Sequence, residues 1–120
     1  MAGGGVFGIL AIMKPISTIE DVQDIINASH AHPQIIFKHS HVCAISSHAL
    51  AELEIFDEAS NIDIHILIIQ ETGDLKVHIA ELFHIPHESP QVIALNNGKV
   101  SAVFNHWDIT ASALAQRIVI

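Results

Sequence analysis

Ile35-Ile36-Phe37-Lys38-His39-Ser40-His41-Val42-Cys43-Ala44-Ile45-Ser46 is the stretch on which the reading of this chain turns. A short apolar, β-branched run over residues 34–38 predicts a buried strand. Polar residues follow, and from Cys43 to about residue 59 the apolar positions Ile45, Ala49, Leu53 and Phe56 recur at helical spacing. Cys43, the single cysteine of the chain, therefore stands where a strand feeds a helix. Helix N-termini favour negative charge, so this location favours a thiolate over a thiol. A buried structural thiol is the plain alternative. Ser46 lies three residues on, where a dithiol enzyme would carry its second cysteine. The spacing suggests thiol–disulfide exchange with one sulfur instead of two.

Outward from that stretch, strands and helices alternate. Residues 10–16 read as a first strand. Ser17 and Glu20 form an S-x-x-E capping box ahead of a helix whose inner face is Ile19, Val22, Ile25 and Ile26, closed by His32-Pro33. Residues 63–69 form a further strand. Gly73 breaks the chain, and Leu75, Ile79, Leu82 and Phe83 mark a third helix. Two apolar runs, 92–95 and 100–104, flank Asn96-Asn97-Gly98-Lys99, a hairpin signature. A last helix is expected from near Asp108 to Arg117. The predicted order is β-α-β-α-β-α-β-β-α: an α/β fold with a central mixed sheet flanked by helices.

The 120 residues fit one domain, expected over 10–120, with residues 1–9 as a flexible glycine-rich tip. The tip lacks the basic start of a signal peptide, and the apolar run behind it is too short for a membrane helix. Half the residues are hydrophobic and 15% are charged, the signature of a folded chain. The formal charge of -8 argues against nucleic acid and anionic lipid as partners. One cysteine cannot close an internal disulfide, which points to a cytoplasmic location. The ten histidines invite a metal reading. His39, His41 and Cys43 would share one face only if the strand ran through them, and no H-x-x-E-H or CxxC pattern occurs, so no metal site is expected.

Three motifs carry a family resemblance. Phe37-Lys38-His39-Ser40-x-x-Cys43-x-Ile45-Ser46 resembles the FKHSxxC(P/S)IS signature of the bacillithiol-system monothiol bacilliredoxins, the YtxJ-like family. His87-Glu88-Ser89-Pro90-Gln91 matches that family's HESPQ motif. His106-Trp107-Asp108-Ile109-Thr110 is similar to its segment at the start of the last helix. The resemblance covers about residues 35–112. Ala44 departs from the usual Pro or Ser, and Gly73-Asp74-Leu75-Lys76 stands where an arginine-containing turn is expected.

The resemblance implies a thioredoxin-like fold and removal of bacillithiol from client proteins that carry it as a mixed disulfide. It makes Cys43 the nucleophile, with Ser46 as a hydroxyl donor to the sulfur. It makes Pro90 a cis-proline that sets the Ser89 backbone beside Cys43. It assigns His106, Trp107 and Asp108 to substrate recognition, since free N–H groups at that helix start suit a ligand carboxylate. Lys38, His39 and His41 are candidate thiolate stabilisers. Bacillithiol is the implied co-substrate, with no tightly bound cofactor, and a second thiol or a reductase must regenerate Cys43. Two other functions compete: an iron–sulfur-binding monothiol glutaredoxin-like module, and a redox-inactive thioredoxin-like adaptor.

Overall fold

The computed structural model describes residues 13–118. The expected tip over 1–9, residues 10–12 of the first predicted strand, and the last two residues lie outside them. The first strand is described as β1 (Lys14–Pro15), followed by α1 (Ile19–Ala28), β2 (Gln34–His39), α2 (Ala44–Ser60), β3 (Asp63–Ile68), α3 (Leu75–Phe83), β4 (Gln91–Asn96), β5 (Lys99–Asn105), a 3-10 turn (His106–Asp108) and α4 (Ala111–Arg117). The five strands lie in the order β1-β3-β2-β4-β5. β3 runs parallel to β1 and β2, while β4 is antiparallel to β2 and β5.

β2 is buried along its whole length, so both of its faces must be apolar. Ile35 and Phe37 point into a core with Ala49, Leu53 and Phe56 of α2 and Leu114 of α4. Ile36 points the other way, into a core with Val22 and Ile25 of α1 and Leu75 and Ile79 of α3. Alternation along a strand thus puts helices on both sides of the sheet.

Two helix starts differ from the sequence expectation. The capping box of α1 is Thr18 with Asp21, one residue later than Ser17 with Glu20. The Asp21 carboxylate accepts from Ser17 N at 2.7 Å and Thr18 N at 3.0 Å. Asp21 reaches back to two amides at once, which fixes the register. The last helix starts at Ala111 rather than near Asp108. Ile109 is fully buried with extended backbone, so the chain must straighten there before Thr110 caps α4 by accepting from Ala113 N at 3.1 Å.

The hairpin forms as its sequence predicts. Asn97 and Gly98 both have positive φ, 54° and 79°, as a two-residue primed turn requires. The turn is held from α1's end: Ser29 O accepts from Asn97 N at 2.9 Å and Ser29 Oγ from Gly98 N at 2.8 Å. The His30 ring lies 2.7 Å from where a Gly98 Cβ would stand. Gly98→Ala is therefore expected to cost about 1–2 kcal/mol, chiefly left-handed strain because the exposed His30 ring can swing aside. Urea unfolding checks this, and an unchanged midpoint would contradict it.

Candidate active site

Four loops meet at one end of the sheet, and the strand pairings put them there. Residues 40–43 leave β2 at the end where residues 69–74 leave the parallel β3. Lys38 pairs with Gln91, which brings the loop entering β4 alongside. Gln91 in turn pairs with Asn105, so the 3-10 turn arrives at the same place. Ligand sites of open α/β sheets sit at such strand ends.

Cys43 is the N-cap residue of α2, partly exposed, with extended backbone (φ −110°, ψ 122°). Its carbonyl accepts the first helical bond, from Ser47 N at 3.2 Å. Its side chain makes no capping hydrogen bond, and the amides of the first turn act on the sulfur electrostatically, as helix N-termini do on negative charge. These groups hold the thiol's pKa below its ordinary value: Ser46 N–H first, then Ile45 N–H and the Ser46 hydroxyl, against an opposing effect of desolvation. The stabilised species is the thiolate, the nucleophile of disulfide exchange. Ser46 is fully buried, and its Oγ accepts from Ser40 N at 3.2 Å.

The nucleophile loop is held by side chains. Ser40 Oγ accepts from Val42 N at 3.4 Å. Gln70, just past β3, donates through Nε2 to Ser40 Oγ at 2.7 Å and accepts from His41 N at 3.2 Å. His41 Nε2 donates to Glu71 at 3.1 Å. Val42 at the loop tip is 87% exposed and Trp107 is 61% exposed. The Trp107 ring sits 5.2 Å from that of His48 on α2. Apolar side chains left in solvent beside a reactive group suit a docking partner.

Opposite this loop, the Ser89–Pro90 peptide bond is cis. Pro90 O accepts from His106 N at 3.0 Å, and His106 Nε2 pairs with Glu88 at 3.0 Å. Ser89 Oγ is buried without a hydrogen-bond partner among the described residues.

The three candidate thiolate stabilisers are engaged elsewhere. Lys38 does not reach along its strand to solvent; it is fully buried and donates to His87 Nδ1 at 3.3 Å. Burial pushes its pKa down to about 8, with Glu88 opposing. His39 is buried against Phe37, and burial, then His41, lowers its pKa. His41 faces Glu71. None of the three is among the causes of the Cys43 shift. Local amides do that work because Cys43 stands at the N-cap of α2.

The expected carboxylate pocket also changes. His106, Trp107 and Asp108 form a 3-10 turn, not a helix start, and Asp108 is exposed without capping anything. The N-terminus of α4 is already occupied: Ala111 N donates to Glu52 of α2 at 2.8 Å and Ala113 N to Thr110. Two amides of that terminus are thus already engaged by side chains of the chain itself. Gln70, Glu52 and Glu71 were not singled out by the sequence. Gln70 alone carried a signal, as the first polar residue after the apolar run 66–69 at a strand end.

Among the described residues no group of three or more His, Cys, Asp or Glu side chains is arranged to hold a metal, and no helix is long and apolar enough to cross a membrane.

Residues 14–114 match the family described as monothiol bacilliredoxin BrxC. A solved structure described as a candidate oxidoreductase with a thioredoxin fold is 30% identical, with a TM-score of 0.83 over 91% of this chain and 96% of its own. Mitochondrial thioredoxin 3 from Saccharomyces cerevisiae superposes with a TM-score of 0.70 at 12% identity, over 90% of this chain and 94% of its own. Fasciola hepatica thioredoxin gives 0.65 at 14% identity, over 88% and 93%. At such low identity the two thioredoxins bear on the fold alone, and that fold is thioredoxin-like.

Proposed function

The chain belongs to the monothiol bacilliredoxin family, and on that premise we propose that it removes bacillithiol from proteins bearing it as a mixed disulfide. Family and fold make it a thiol–disulfide oxidoreductase; the bacillithiol specificity is our reading. The observation that carries it is the nucleophile itself, a lone cysteine capping α2 with first-turn amides favouring its thiolate.

In the proposed reaction the Cys43 thiolate attacks the bacillithiol sulfur of a client mixed disulfide. The client sulfur leaves as a thiolate and takes a proton from solvent. Cys43 is left in a disulfide with bacillithiol. Ser46 has no sulfur with which to displace it, so a second thiol molecule or a reductase attacks and restores the Cys43 thiolate. The Ser89 backbone beside the cis bond is the proposed rail for the incoming disulfide, pairing with it as a strand would. Trp107 and His106 flank that approach. Asp108 is retained only as a rim residue, since it caps nothing. We place the reaction in the cytoplasm, where free thiols persist.

Intact mass tests this after incubation with oxidised bacillithiol and, in parallel, oxidised glutathione. An adduct should form on Cys43 much faster with bacillithiol, and Cys43→Ser should form none. Equal rates would remove the thiol specificity. No adduct with either would remove the enzymatic reading.

A further inference from the structure

The amides that shape the nucleophile loop have no backbone acceptors. Ser40 N donates to Ser46 Oγ, Val42 N to Ser40 Oγ and His41 N to Gln70 Oε1. The first two acceptors belong to the loop or to the helix it opens. Those bonds fold the segment on itself without fixing it to the sheet. Gln70 is the acceptor that comes from a different segment, the turn just past β3.

Its position follows from the sheet. The β2–β3 ladder continues past β3 through Ile69 N, which donates to His39 O at 3.0 Å. The next residue, Gln70, therefore stands beside Ser40 and His41. Its amide orientation is dictated by its partners: His41 N can only donate, so Oε1 must face it and Nε2 must face Ser40 Oγ. One side chain thus holds two consecutive loop residues. From there two hydrogen bonds run to the first turn of α2: Gln70 to Ser40 Oγ and Ser40 N to Ser46 Oγ, and Ser46 is the residue that most lowers the pKa of Cys43.

We propose that Gln70 is the positioning residue of the reaction, clamping residues 40 and 41 to the sheet so that Ser46 and the first-turn amides stay directed at Cys43. It touches neither the sulfur nor a substrate. Its effect passes through the loop, and both thiolate stability and attack geometry depend on it. The proposal rests on Cys43 being the reacting group.

The test uses iodoacetamide as a sulfur probe across pH, with the mixed-disulfide reaction beside it. Gln70→Leu removes both bonds at similar size. It should move the alkylation midpoint to higher pH and slow the mixed-disulfide reaction by roughly tenfold at pH 7 and by about fivefold at its high-pH plateau, where only attack geometry counts, while the protein remains folded. Gln70→Glu keeps an acceptor for His41 N and for the Ser40 hydroxyl, so its high-pH plateau should stay within about twofold of wild type. A wild-type alkylation profile in Gln70→Leu overturns the proposal. So does a Gln70→Glu plateau that falls as far as that of the leucine variant.

Amide exchange in the unaltered protein supplies a measurement that needs no variant. His41 N–H should be protected although it lies in an exposed loop, and exchange at the free-peptide rate would remove the clamp. Wild-type protein that forms no mixed disulfide at all overturns the reading of Cys43. An active wild type with an indifferent leucine variant overturns only the role of Gln70.

Discussion

Ser46→Cys is expected to shorten the lifetime of a mixed disulfide on Cys43 by at least about 100-fold when no thiol is added. In the natural chain that adduct waits for a second molecule, because the neighbouring group is a hydroxyl. Ser46 sits in the first turn of the helix that Cys43 opens, and its amide and hydroxyl help to hold the thiol's pKa down. Residues three apart on a helix have Cβ atoms about 5–6 Å apart, and a small adjustment at the N-cap brings them within disulfide range. A thiol at that place attacks from within the molecule, at an effective concentration that free thiols do not reach. The variant would lose the adduct, become two hydrogens lighter than its reduced form and release the small thiol. Intact mass against time after desalting reads all three. An adduct that persists as in wild type would mean that Ser46 does not face the sulfur. The variant also loses the acceptor for Ser40 N, so its first exchange step should slow while its second accelerates.

That contrast marks which parts of the site sequence reasoning reaches. Local features were readable: the cysteine at a strand-to-helix junction, the serine one turn on, and the Asn97-Gly98 turn each depend on residues within a few positions. The alternating strands and helices were readable for the same reason, since each element carries its own periodicity. What escaped depends on pairing between distant segments. Gln70 meets Ser40 across 30 residues and Glu52 meets Ala111 across 59; local pattern marks Gln70 only as the polar end of an apolar run and leaves no trace of either partner. Glu52 bears on the expected recognition site, because it engages an amide at the helix terminus proposed for a ligand carboxylate. The start of the last helix is different in kind: it was expected near Asp108, but Ile109 is pulled into the core and Thr110 takes the cap.

Lys38→Met should make the protein more stable at pH 7, by an amount that vanishes in alkali. Lys38 is fully buried at the end of a central strand, and its hydrogen-bond partner is His87. Burial brings its pKa from 10.5 down to about 8. Below pH 8 both folded and unfolded states carry the proton, and the folded state bears the full cost of a buried charge. Between about 8 and 10.5 the unfolded state binds more protons, so stability rises with pH, and above 10.5 the cost is gone. The span corresponds to roughly 3 kcal/mol. Methionine has similar length and no charge to desolvate, so it should recover much of that at pH 7. Urea midpoints should differ most at pH 7 and converge toward pH 10.5; a difference independent of pH would show that the ammonium is not the cause. A residue that costs stability is expected to serve the site, and Lys38 holds His87 two residues before Ser89. The same variant should therefore be more stable yet slower to form the Cys43 adduct, since releasing His87 loosens the loop that carries the cis bond. A variant that is both more stable and equally fast would leave the buried lysine without that role.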